Sequence, residues 1–187
     1  MLANLVQRLK NNDPRRIDVP FERAAILLAL TNEDEPRLVF TRRSSQLKTH
    51  GGQVAFPGGR AEAADLTLID TALRESQEEI GLNPSGVRIV GQLSEVISRY
   101  EILVTPFVGL IDSDTQLTAD TREIESIFTV PVRYFLECPP ERFDQLGYKE
   151  FRASVPCWQY GDYQIWGMSA MVLVDFLRTG LGCQWGE

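Results

Sequence analysis

Arg74-Glu75-Ser76-Gln77-Glu78-Glu79-Ile80-Gly81-Leu82, with Phe56-Pro57-Gly58-Gly59 upstream of it, decides how the remaining chain is read. Residues three and four apart share one face of a helix, so Glu75, Glu78 and Glu79 are predicted to stand together. Like charges so placed repel by roughly 0.2–0.5 kcal/mol per pair even in water. A hard divalent cation such as Mg2+ takes oxygen ligands and removes that repulsion, so the three carboxylates read as a metal cradle. For a Glu-Glu pair alone, a solvated acidic face is the plainer alternative. The flanking residues argue against it. Leu66, Ile69, Leu73 and Ile80 recur at helical spacing, with Ala72 and Ser76 between them, as a narrow apolar stripe. Thr67 followed by Asp70 makes a capping-box pattern, with Asp65 as the competing N-cap. Gly81 falls where a left-handed C-terminal cap belongs, Leu82 closes a Schellman turn, and Pro84 prevents continuation.

Composition sets outer limits. A chain of 187 residues suits one domain with a sizeable core, and 43% hydrophobic with 24% charged residues is ordinary for a globular protein. The formal charge of −7 argues against broad nucleic-acid binding, which needs a basic footprint. It allows an anionic small substrate, because a bound metal reverses the local sign. Cys138, Cys157 and Cys183 are odd in number and lack Cys-x-x-Cys spacing, so they read as free thiols of a reducing compartment. A single histidine excludes a His-rich zinc site.

Leu2, Leu5, Val6 and Leu9 predict an amphipathic helix within residues 1–12, ended by Asn11-Asn12-Asp13-Pro14. It lacks the apolar core of a signal peptide and is expected to pack on the domain or on the partner subunit of a possible homodimer. Ala24 to Leu30 reads as a buried strand, far too short to span a bilayer. Asn32 to Pro36 is a turn, and Arg37 to Thr41 returns as a second strand. Val87 to Leu93 and Val104 to Ile111 are further strands, joined through Ser94 to Glu101 as a hairpin connection or an active-site loop. Tyr163 to Ala170 leads into an apolar helix ending near Thr179-Gly180, with Met168, Met171, Val172 and Leu173 expected in the core. No run approaches the length of a membrane helix, so a cytoplasmic protein without membrane or nucleic-acid partners is expected.

Residues 41–59 carry Arg42, Arg43, Lys48 and His50 from a strand end into a Gly-rich turn, followed by a strand of alternating pattern. Glycines let backbone approach a ligand, and adjacent N–H groups can form an anion-binding nest. Cations there can meet phosphates, arginine in a bidentate manner. From the residues alone a solvated basic loop remains an equal alternative.

The segment from Gly59 to Leu82 resembles the Nudix box, with Arg74, Glu75, Glu78, Glu79, Gly81 and Leu82 on its pattern. Two positions depart from it. Gly59 to Arg74 is one residue longer, so Asp65 takes the first acidic position, and Ser76 replaces an aliphatic residue. Residues 41–59 are similar to the signature of the coenzyme A pyrophosphatase branch of Nudix hydrolases, through Thr41, Arg43-Ser44, Leu47, His50 and the run Gly52-Gln53-Val54-Ala55-Phe56-Pro57-Gly58-Gly59. In that branch the box is also one residue longer; Val39 and Phe40 replace its first two leucines. Leu103 to Gly109 and Trp166-Gly167-Met168 resemble it too, so the likeness covers roughly residues 23–178.

The resemblance implies an α+β fold, an α/β/α sandwich with a mixed β-sheet between helices, over residues 1–187 as one domain. It implies Mg2+ (or Mn2+) held mainly by Glu75 and Glu79, with Arg74 fixing one of the carboxylates. Glu78 or Glu123 would take the proton of the attacking water, with Glu125 the rival to Glu123 in another loop register. Arg43, His50, Gln53, Gly58 and Gly59 would bind the substrate. The implied reaction is hydrolysis of the diphosphate of coenzyme A, or of another nucleoside diphosphate conjugate; a non-catalytic nucleotide sensor is the farther alternative.

Overall fold

A computed structural model describes residues 1–47, 49–148 and 151–183. The chain opens with α1 (Leu2–Lys10), then β1 (Glu22–Asn32) and β2 (Arg37–Arg43), joined by the expected turn. Two short strands follow, β3 (Val54–Ala55) and β4 (Gly58–Arg60), and then α2 (Leu68–Ile80). The single alternating strand expected after the glycine turn is therefore broken at Phe56-Pro57. Proline has no N–H to give to a ladder, and the chain changes partner there, β3 pairing with β2 and β4 with β1. Beyond a 3-10 turn (Pro84–Gly86) come β5 (Arg88–Gln92), β6 (Val96–Ile97), β7 (Ile102–Asp112) and β8 (Ile124–Pro131). α3 (Val132–Glu137), β9 (Arg142–Tyr148), β10 (Phe151–Tyr160), β11 (Tyr163–Ile165) and α4 (Gly167–Leu181) complete the order.

The main sheet runs β3-β2-β1-β7-β5, with β4 also on β1, β6 on β7 and β8 on β2. It is mixed: β1 and β7 are parallel from Glu22↔Ile102 to Asn32↔Asp112, and the other pairs are antiparallel. β9, β10 and β11 form a separate three-stranded sheet. The apolar run of β1 is buried on both faces because layers cover both. Ala25, Leu27 and Ala29 pack with Ala72, Ile80 and Leu82 of the α2 layer. Ala24, Ile26, Leu28 and Leu30 pack in a second cluster with Leu5 and Leu9 of α1 and Phe176 and Leu177 of α4. Alternation along one strand thus feeds two cores, the α/β/α arrangement expected.

α2 keeps its predicted ends. Thr67 caps it reciprocally with Asp70, and Gly81 takes a left-handed φ of 66° while Leu82 N–H reaches Ser76 O. Its apolar face needs correction at one residue: Leu66 lies before the helix and is 93% exposed, and Leu68 takes its place against the sheet. Ser76 serves at an aliphatic position because its buried hydroxyl bonds back to Ala72 O at 2.6 Å. In α4, Val172 and Leu173 are buried and Met171 is packed against them, but Met168 in the first turn is exposed. α1 packs within the chain, against α4 and β5. Cys138, Cys157 and Cys183 are free thiols. Among the described residues no helix is long and apolar enough to cross a membrane.

Candidate active site

Glycine-bearing β4 lies along the start of β1, with Ala25 opposite Gly59 and Ile26 opposite Gly58, and α2 crosses beside it. Gly58 has a φ of 151°, and a Cβ there would strike the backbone of Ala25 and Ile26. A Cβ on Gly59 would occupy the space taken by the Glu75 carboxyl. The glycine pair therefore lets the backbone lie directly on the carboxylates of the helix. Gly58 N–H donates to Glu79 Oε2 at 3.1 Å.

Four acids gather here unequally. The Glu79 side chain is only 5% exposed, and Arg43 Nη1 donates to its Oε1 at 3.0 Å. Burial pushes this carboxyl up to about 7, opposed by the Gly58 N–H and Arg43 and reinforced by Glu75 and Glu123. Glu75 is also raised, first by burial, although Arg74 Nη1 donates to its Oε1 at 2.9 Å. Glu78 points outward, 60% exposed, 3.4 Å from Arg74. The shared face read from spacing holds Glu75 and Glu79 inside and leaves Glu78 at the rim. Glu123 comes from the loop before β8 and lies 3.6 Å from Arg43 Nη2. Glu125 turns instead to Arg42, at 3.8 Å.

Two anchors hold this group. Arg74 is clamped by Asp65, which accepts from its Nε and Nη2, both at 3.0 Å, and from Thr71 Oγ1 and Glu62 N. Asp65 is thus the counter-ion of Arg74 rather than a helix cap, and Arg74 holds its carboxyl well below the usual range. The second anchor is the loop carrying Glu123. Asp120 N–H donates to Glu79 O and Thr118 N–H to Ile80 O, covering carbonyls left free at the end of α2. Ser44 N–H then donates to Glu123 O at 2.7 Å. No sequence signal marked Asp120 or Thr118, because their task is carried by backbone groups.

The 41–59 stretch joins the site through its hairpin base, where Arg43 and Gln53 pair along the backbone. Gln53 Oε1 lies 2.7 Å from His50 Nδ1. Arg43, expected on the substrate, is engaged with Glu79 and Glu123. Lys48 lies outside the described residues. A cavity of about 530 Å³ lies elsewhere, between residues 16–18 and the start of α2. At its wall the buried Glu95 accepts from Ile17 N, Arg23 Nη2 and Thr105 Oγ1, tying down the arm that follows α1.

A NUDIX domain model matches residues 20–149 of this chain. A protein from Photorhabdus laumondii subsp. laumondii called uncharacterized Nudix hydrolase NudL is 36% identical over 160 residues, covering 86% of each chain. A protein of that name from Shigella sonnei is 34% identical over 186 residues, covering 97% of this chain and 96% of its own. The chain belongs to the Nudix hydrolase family. The crystal structure of RenU, a Nudix hydrolase from M. smegmatis, superposes with a TM-score of 0.52 at 18% identity, covering 62% of this chain and 74% of that one. The NUDIX domain of Shewanella oneidensis NrtR, complexed with ADP ribose, gives 0.50 at 18% identity over 71% and 86%.

Nudix hydrolases generally use divalent metal ions such as Mg2+. The donor chemistry here fits one: Glu75 and Glu79 offer hard oxygens, and burial of both anions leaves a charge that a cation would offset. Among the described residues no three His, Cys, Asp or Glu side chains stand as a ready ligand set. Arg43 and Arg74 pair with the two inner carboxylates.

Proposed function

We propose that this Nudix hydrolase cleaves the diphosphate of coenzyme A or an acylated derivative, giving 3′,5′-ADP and the 4′-phosphopantetheine half. The observation that carries the reading is the joint hold on Glu79. Arg43 of the 41–59 signature and Gly58 N–H at its end both bond to that carboxylate of the box. Signature and box thereby build one bed of backbone and charge for a diphosphate.

Glu75 and Glu79 would hold Mg2+ or Mn2+, which when bound neutralises charge on the diphosphate oxygens. Arg74, locked by Asp65, keeps Glu75 in place. Glu123 takes a proton from the attacking water; its position against Arg43, within electrostatic reach of Glu79, favours it over Glu78, which acts on Glu75 alone and pairs with Arg74. The Gly58-Gly59 backbone admits the diphosphate closely, while His50 and Gln53 shape the nucleoside end. Arg42, opposite Glu125, is the cation available for a 3′-phosphate.

A Mg2+-dependent product assay on coenzyme A, 3′-dephospho-coenzyme A and ADP-ribose tests this. Coenzyme A is expected to be cleaved best, with loss of the 3′-phosphate reducing kcat/KM about ten- to hundredfold, the worth of one or two charge-assisted bonds. Preference for ADP-ribose would assign the same chemistry to another nucleoside diphosphate conjugate. Binding without Mg2+-dependent product release would make the protein a sensor.

A further inference from the structure

Among the described residues, His50 and Glu101 are the non-glycine residues with a left-handed φ, 59° and 58°. Such backbone is costly and persists where its surroundings over-determine it, as in ligand clamps. The two lie on different loops, and those loops touch. His50 belongs to the signature hairpin, and Glu101 ends the turn between β6 and β7. That turn is fixed by Glu101 N–H to Ser98 O at 3.0 Å, and by Ser98 Oγ accepting from Tyr100 N and Ile102 N, both at 3.2 Å. It sets the Tyr100 and His50 rings edge to face, centroids 5.3 Å apart and planes at 85°. Arg99 folds over Tyr100 with its guanidinium carbon 4.7 Å from the ring centroid, and donates to the hydroxyl at 2.6 Å.

With His50 against it, Arg99 over a face and the hydroxyl engaged, Tyr100 is still 49% exposed. A large ring held in one orientation and left half in water is a flat apolar surface without a cover. Its place is close to the chemistry. His50 meets Gln53, whose carbonyl accepts from Arg43 N at 2.9 Å, and Arg43 reaches Glu79.

We propose that Tyr100, backed by Arg99, is the platform on which the nucleobase of the substrate stacks, with the Arg99 charge complementing the adjoining phosphate. The proposal rests on the reading of the site as one for nucleoside diphosphate conjugates. Every base has a π-face, so the platform sets affinity for the nucleoside end rather than the rate of diphosphate cleavage.

Calorimetric titration with ADP, and separately with inorganic pyrophosphate, tests it in the presence of Mg2+. Tyr100→Ala is expected to weaken ADP about tenfold, within the five- to 150-fold span of base–aromatic stacking, while pyrophosphate affinity stays put. Tyr100→Phe and Tyr100→Trp should retain ADP binding, since each keeps a ring. On coenzyme A the rise in KM for Tyr100→Ala should exceed any fall in kcat. Unchanged ADP affinity in Tyr100→Ala, or failure of the wild type to bind ADP, would overturn the proposal. An equal loss for pyrophosphate would also overturn it, by showing that Tyr100 merely props the signature loop. If the wild type binds ADP but hydrolyses no conjugate, the proposed function fails and the titrations still decide the platform.

Discussion

Gly59 carries no side chain because the Glu75 carboxyl fills the space one would need. Gly59→Ala should therefore displace Glu75, cutting turnover roughly 100-fold, as a misplacement of about 1 Å can, and costing about 1–3 kcal/mol of stability. Steady-state kinetics and a urea melt read the two effects separately. Gly58→Ala should cost more stability than Gly59→Ala, since it collides with the backbone of β1 rather than with a movable side chain. Glu79 is a different kind of residue, buried and bonded at both oxygens. Glu79→Gln preserves shape and removes charge, so Mg2+-dependent product release should fall by about 10²–10⁴ while the thermal melt stays within a few degrees. A normal rate in that variant would remove Glu79 from the metal site.

The loop from Arg60 to Thr67 and α2 behave as one element because Asp65 locks to Arg74. Asp65→Asn should destabilise the protein by about 1–3 kcal/mol, the cost of weakening its two charge-assisted bonds with Arg74, which keeps Glu75 as a partner. The pH dependence has a definite sign. Arg74 holds the Asp65 carboxyl below its ordinary 3.8, so the folded state binds fewer protons there than the unfolded chain. Its stabilisation is complete above that value and fades as pH falls toward the folded one. Urea melts of wild type and variant should differ near pH 7 and converge in strong acid. Thr67→Ala, which removes the side-chain half of the capping box, should cost about 1 kcal/mol near pH 7. Much at this scale was legible in the sequence, because caps and helix faces depend on neighbours a few positions away. Thr67, Asp70, Gly81 and the inward pair Glu75 and Glu79 stand where spacing put them. What was hidden depends on strands meeting. Arg43 reaches Glu79 across 36 positions, Asp120 anchors through a backbone N–H, and the chain switches partner at Pro57. Leu66 matched the apolar period yet lies two residues before the helix, where periodicity has no force.

Across the molecule, the amino-terminal helix is seated by missing side chains in its neighbours. A Cβ on Gly91 would come 2.8 Å from Leu9 O, and one on Gly180 would come 3.1 Å from Leu5 Cγ. Arg8 Nε also donates to Thr179 O at 2.9 Å, joining α1 to the end of α4. Leu5→Ala should cost about 2–5 kcal/mol, the usual range for a fully buried leucine, and calorimetry would read it as a lower melting temperature. The bed of Gly58 and Gly59 has a wider consequence. Leu27 N–H donates to Pro57 O at 2.9 Å, and β4 then follows β1, the strand that feeds both cores. Catalytic competence is thereby wired to the keel of the protein rather than to a peripheral flap. Along a denaturant series, activity and tryptophan fluorescence should collapse on a single curve, with no early range in which an intact-looking enzyme has already gone silent.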